Sequence, residues 1–215
     1  MEIYRTVFKK EIVTEFAPPE KKSNKVIIIC PGMPGSPSKK EVIEKFAKAG
    51  YFVFSPRYRG SWESKGKFLK KPPQQDILDV IESLNKPIKE LWEGKKFLIK
   101  KPQIFIYGIS FGGPAAILVS KHPKVKKVIA ISPVTDWRVP SKEEPMNRLG
   151  KFVKEGFGRA YDFDIKDWKK LERGEFYNPI TETEKIQGQK IWIIHAKDDE
   201  IVSFLPSVEL AKKIR

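Results

Sequence analysis

Five short runs of apolar residues punctuate the chain: Val26-Ile27-Ile28-Ile29-Cys30, Tyr51-Phe52-Val53-Phe54, Ile104-Phe105-Ile106-Tyr107, Val128-Ile129-Ala130-Ile131 and Ile191-Trp192-Ile193-Ile194. Each is too short for a buried helix and lacks the alternation of a half-exposed strand, so each predicts a strand covered on both faces. Between them the period changes. Val42, Ile43, Phe46 and Ala47 recur at helical spacing before Gly50, which predicts a helix over 39–49. Ile77, Val80, Ile81 and Leu84 share one face of a helix expected from about Gln74 to Trp92, and Ala115, Ala116, Leu118 and Val119 belong to a helix running to His122. A last helix is expected over about 205–215. Alternating residues in 3–16 predict one or two antiparallel edge strands. Strand and helix alternating at this spacing predict an α/β fold with a mostly parallel, doubly wound sheet. Residues 135–188, irregular and rich in aromatic and charged side chains, are too long for a plain connection. They read as a small cap inserted between the fourth and fifth buried strands of a single domain spanning 1–215.

Composition narrows the setting. The 215 residues suffice for one core, with 40% apolar and 32% charged residues. No apolar run approaches the ~20 residues of a membrane span, and the charged start of the chain has no signal-peptide core. With Cys30 the single cysteine, no intrachain disulfide can form, and the chain reads as cytoplasmic. The net charge of +15 invites a nucleic-acid partner. The lysines are scattered, however, and the densest groups, Lys65/Lys67/Lys70/Lys71 and Lys95/Lys96/Lys100/Lys101, have no stacking aromatics at regular spacing. They read as solvated surface of the kind found in heat-adapted proteins, with no nucleic-acid or membrane partner.

The chemistry concentrates at Gly108-Ile109-Ser110-Phe111-Gly112-Gly113, between the third buried strand and a helix. A chain that turns sharply there places Ser110 in a strained conformation, and the side chains two before and two after would collide unless both are small, a demand Gly108 and Gly112 meet. The turn presents the serine hydroxyl at the carboxyl edge of the sheet, where open α/β sheets hold their sites. It also puts the Phe111 N–H at a helix start, where it can stabilise a developing oxyanion. A second donor is expected from Pro31-Gly32-Met33, in the loop after the first buried strand, with the Met33 N–H as the choice.

A serine nucleophile needs a base and a carboxylate to orient it. Asp199 follows the last buried strand, and Asp136 follows the strand before. Asp199 is the preferred acid, although turn capping by Asp199 and helix capping by Asp136 remain open. The sequence has two histidines. Eleven helical steps place His122 roughly 16 Å from Ser110. His195, four residues before Asp199, reads as a satisfied structural histidine. The base is therefore expected beyond residue 215, together with a closing strand and helix. A pseudo-enzyme, or a base from another chain, are the alternatives.

These motifs carry a resemblance. Gly108-x-Ser110-x-Gly112 resembles the nucleophile elbow of the α/β-hydrolase superfamily. Pro31-Gly32-Met33-Pro34-Gly35-Ser36 is similar to its His-Gly-x-Pro-Gly-Ser loop, with Pro31 for histidine. His195-Ala196-x-x-Asp199-x-x-Val202 is similar to its acid turn, with Ala196 for glycine. Arg59-Gly60-Ser61 and Ser132-Pro133-Val134-Thr135-Asp136-Trp137 look more narrowly like the catalytic domain of the prolyl oligopeptidase and acylaminoacyl-peptidase group, or a stand-alone esterase. The resemblance implies an α/β-hydrolase fold and cleavage of a small ester or peptide substrate. Ser110 would be the nucleophile, Asp199 the acid, and Met33 and Phe111 the oxyanion donors, with no cofactor or metal. It assigns no oligomeric state. A non-catalytic binding protein of the same fold is the alternative function. The aromatics Trp137, Phe152, Phe157, Tyr161, Phe163 and Trp168 would form the core of the insertion in preference to an acyl pocket.

Overall fold

The structure, a computed structural model, describes residues 1–139, 141, 143 and 145–214. The strands are β1 (Tyr4–Phe8), β2 (Ile12–Ala17), β3 (Lys25–Cys30), β4 (Phe52–Pro56), β5 (Ile88–Lys89), β6 (Lys96–Phe97), β7 (Gln103–Ile109), β8 (Val125–Ile131) and β9 (Ile191–Ile194). The helices are α1 (Lys40–Lys48), α2 (Pro73–Ser83), α3 (Gly112–Leu118), α4 (Met146–Gly156), α5 (Ile165–Glu172) and α6 (Leu205–Lys213). Seven strands form one sheet in the order β1-β2-β4-β3-β7-β8-β9. β4, β3, β7, β8 and β9 are parallel, and β2 joins β4 antiparallel with β1 folded back on it. The α/β prediction and the antiparallel edge are both borne out.

Period two explains how β3 is covered. Val26, Ile28 and Cys30 join the cluster that holds Ile77, Val80 and Ile81 of α2 and Ala115 and Ala116 of α3. Ile27 and Ile29 join Ile43 and Ala47 of α1. Successive side chains of one strand thus feed two separate layers, and an unbroken apolar run is the sequence that satisfies both. No helix among the described residues is long and apolar enough to cross a membrane.

Three elements depart from expectation. The helix expected to reach Trp92 ends at Ser83. The proline at 87 has no N–H for a helical bond and restricts Lys86 before it. The chain instead forms the β5–β6 hairpin, held to β1 by Leu91 N–H on the Arg5 carbonyl (2.9 Å) and by Thr6 Oγ1 on the Lys89 carbonyl (2.8 Å). The helix expected to reach His122 ends at Leu118, and turns carry the chain on to β8. β9 lies at the sheet margin, so its alternate residues face outward, with Trp192 60% and Ile194 55% exposed. The segment between β8 and β9 contains α4, α5 and short 3₁₀ turns. Trp137, Tyr161, Phe163 and Trp168 of that segment are buried, whereas Phe152 is exposed.

Candidate active site

Between β7 and α3 the chain bends at Ser110, which has φ = +50°. That left-handed conformation is costly for a residue with a side chain, so surrounding structure must impose it. The Ser110 N–H donates to the Ile131 carbonyl (3.0 Å), and the Ser110 carbonyl accepts from Gly113 N–H (2.9 Å) and Val134 N–H (3.3 Å). Both faces of the bend are thereby tied to β8 and the loop after it.

The glycines are required by their neighbours. A Cβ on Gly108 would lie 2.6 Å from the Ala116 Cβ and from the Gly112 carbonyl oxygen. On Gly112 it would meet the Cys30 carbonyl oxygen at 2.0 Å, and on Gly113 the Pro133 Cβ at 2.3 Å. The expected collision across the bend is present at Gly108. Gly112 and Gly113 are small for a further reason, because the ends of β3 and β8 press directly on the helix start. The loop after β3 also reaches Ser110, since a Cβ on Gly32 would stand 3.5 Å from the Ser110 Cβ.

A cleft opens at this end of the sheet. Ser110, Phe111 and Met33 form part of its lining, with Trp137, Met146 and Leu149 from the segment before β9, Ile201 and Val202 from the turn before α6, and Pro206 from the first turn of α6. It encloses about 640 Å³, open mouth included. Three of the four site residues named from sequence, Ser110, Met33 and Phe111, thus share one cleft. The fourth, Asp199, sits in the turn after β9 and receives Ile201 N–H (3.1 Å) and Val202 N–H (2.8 Å) on Oδ1. Burial pushes its pKa up, but the Val202 N–H, the Ser132 side chain, the Ile201 N–H and the nearby His195 together hold it below the ordinary value.

Asp136 also lines the cleft, but both of its oxygens are engaged by the Arg138 guanidinium, at 2.9 and 2.8 Å. Burial again acts upward on this carboxylate, and Arg138 and Asn178 bring it below the ordinary value. His195 has both ring nitrogens held, with Nδ1 3.0 Å from Ser207 Oγ and Nε2 2.8 Å from the Val202 carbonyl. Its Nε2 is 3.5 Å from Asp199 Oδ2. His122 lies with Nε2 2.9 Å from Glu82 on α2. Among the described residues lining the cleft there is no histidine.

Sequence reading missed Tyr177. It is fully buried, donates its hydroxyl to the Phe111 carbonyl (2.6 Å), and accepts the Trp137 indole N–H on its own carbonyl (2.7 Å). No local signal marks it, because its partners lie in other elements of the chain.

A mostly parallel sheet, helices on both faces and a left-handed serine at a strand-to-helix bend define the α/β-hydrolase fold. Within it, the chain belongs to the family described as serine aminopeptidase S33, whose model matches residues 21–166. No curated protein matches it in sequence. Among solved structures, an acylaminoacyl peptidase of Pyrococcus horikoshii is 20% identical over 99% of this chain, with a TM-score of 0.62. This chain spans 35% of that peptidase's length. An esterase of Pyrococcus furiosus is 18% identical, with 99% of this chain and 76% of that chain covered and a TM-score of 0.65. Est1E of Butyrivibrio proteoclasticus is 16% identical, with 99% and 85% covered and a TM-score of 0.60. At these identities the likeness carries the fold.

Proposed function

We propose that the chain is a serine hydrolase that cleaves a carboxylic ester or amide of an apolar acyl group through an acyl-enzyme at Ser110. The observation that carries this is the left-handed bend at Ser110, wedged between the ends of β3 and β8 and opening into an apolar cleft. Ser110 Oγ attacks the carbonyl carbon and its proton passes to a base. The carbonyl oxygen becomes an oxyanion held by the Met33 and Phe111 N–H groups. Collapse expels the alcohol or amine, which takes the proton, and water then releases the acid. Asp199 is the carboxylate that orients the base, since Asp136 is occupied by Arg138. The base this reading requires is a histidine, and neither His122 nor His195 lines the cleft.

The test is hydrolysis of p-nitrophenyl butyrate with and without added imidazole, which can stand in for a base that the cleft does not hold. Turnover above the imidazole background in the parent, and its loss in Ser110→Ala, is the expected result. The same lack of a cleft histidine favours a second reading, a non-catalytic binding protein of this fold. Equal rates for the parent and Ser110→Ala, with and without imidazole, would establish it.

A further inference from the structure

Tyr177 lies within the segment between β8 and β9, yet it completes the first turn of α3. In a continuous helix the Ala115 N–H would bond to the Phe111 carbonyl, four residues before it. Here Ala115 N–H donates to the Tyr177 hydroxyl (3.2 Å), and that hydroxyl donates to the Phe111 carbonyl (2.6 Å). A buried phenol bridges the rung. A second buried phenol, Tyr58, donates to the Pro31 carbonyl (3.3 Å) in the loop that carries Met33. Each of the two loops whose N–H groups, at Met33 and Phe111, are proposed to hold the oxyanion thus has a carbonyl held by a buried phenol.

We infer that Tyr177 is a positioning residue that sets the direction of the Phe111 N–H, and that Tyr58, on the Pro31 carbonyl, does the same for the Met33 loop. This inference rests on the acyl-transfer reading of Ser110. Phe111 is pinned from both sides. On one side, the Ser110 carbonyl is drawn to Gly113 and Val134. In a trans peptide this aims the Phe111 N–H the opposite way. On the other side, Tyr177 holds the Phe111 carbonyl. Sulfur and ring neighbours leave the bridge no access to water, for Cys30, Tyr58, Phe111 and Tyr177 are all buried in one cluster. Burial, acting first, keeps both phenols well above their ordinary pKa, so they remain protonated throughout the working pH range.

The decisive variant is Tyr177→Phe, which removes one oxygen and lets Ala115 N–H close directly on the Phe111 carbonyl. With imidazole present, kcat for the Ser110-dependent cleavage of p-nitrophenyl butyrate is expected to fall roughly 10–100-fold, as for a donor displaced by a fraction of an ångström to an ångström. KM should stay within about twofold and the pH profile should be unchanged, since the cleft wall and the titrating groups are untouched. The Ala115 amide resonance should move as its acceptor changes from a phenol to a carbonyl. An unchanged kcat in folded Tyr177→Phe, or kcat and KM failing together, overturns the proposal while leaving Ser110 chemistry standing. A parent without Ser110-dependent turnover overturns both. If Tyr177→Phe does not fold, Tyr58→Phe decides by the same kcat readout, because it releases the Pro31 carbonyl of the Met33 loop and leaves the α3 rung in place.

Discussion

Gly112→Ala tests whether the bend is set by tertiary contact or by local preference. Helix propensity favours the substitution by up to about 1 kcal/mol, less in a first turn. Tertiary contact opposes it. The new Cβ would lie 2.0 Å from the Cys30 carbonyl oxygen, 2.5 Å from its carbon and 2.6 Å from the Pro31 oxygen, whereas real Cβ atoms essentially never come within 3.0 Å of a neighbour. Relief needs a backbone shift of ~1 Å (3.0 less 2.0), and the atoms in the way are main-chain atoms with no rotamer to change. They also end β3, where Cys30 pairs with Gly108. Overpacking of this kind costs about 1–3 kcal/mol, and a backbone obstacle places it at the upper end. A net loss of about 2 kcal/mol follows. With a urea m-value of about 2 kcal/mol/M, the unfolding midpoint should fall by about 1 M. Gly35→Ala is the control, since its Cβ would meet nothing nearer than Lys39 Nζ at 3.8 Å, and it should stay within about 0.5 kcal/mol of the parent. A Gly112→Ala midpoint at or above the parent's would refute the contact argument and leave the glycine as a matter of local flexibility.

Two further outcomes follow from strain and burial. Ser110→Gly should remove Ser110-dependent turnover and yet raise stability by roughly 0.5–1 kcal/mol in urea, because it relieves a left-handed residue at +50° and glycine's larger unfolded-state entropy offsets only part of that gain. A lowered midpoint would contradict the strain. Asp76 lies under Arg59, accepting its backbone N–H at 2.8 Å and its guanidinium. Burial, against the pull of Arg59, raises its pKa from 3.8 to about 6. The folded state thus binds this proton more tightly than the unfolded chain, so the contribution of Asp76 to stability falls as pH rises from about 4 to about 6, by at most about 3 kcal/mol. Asp76→Asn should flatten the stability profile across that window, and a profile equally steep in the variant would contradict the assignment.

What could be read from sequence was what local pattern encodes. Unbroken apolar runs announce strands with two covered faces, and β3, β4, β7 and β8 lie where those runs are. The same run at β9 looks identical but ends at the sheet margin with Trp192 exposed, because composition records a strand's apolarity and not its neighbours. The β5–β6 hairpin was hidden by helical spacing at Ile77 to Leu84, although the proline at 87 marked the break. Sequence ranked Asp199 above Asp136 as the acid by its place after the last buried strand. They separate in space, where the Arg138 guanidinium occupies one carboxylate and the Ile201 and Val202 N–H groups donate to the other. Tyr177 was illegible, since its meaning lies in contacts to Phe111 and Ala115 more than 60 positions away.

The bend at Ser110 was legible for a reason that reaches past its own spacing. A strained turn is ordinarily local, and local strain alone would ask for glycine at 108 and 112. Yet three glycines stand there, and each faces a different obstacle: Gly108 the side of α3, Gly112 the end of β3, and Gly113 the proline after β8. Three elements converge on one strand-to-helix junction, and the absence of side chains lets all three come within reach of Ser110. One of them carries Met33, another carries Ser132, which contacts Asp199. The glycine spacing therefore encodes a tertiary meeting point, not merely a turn. A serine in any roomier bend would keep its hydroxyl while losing the partners on either side of it.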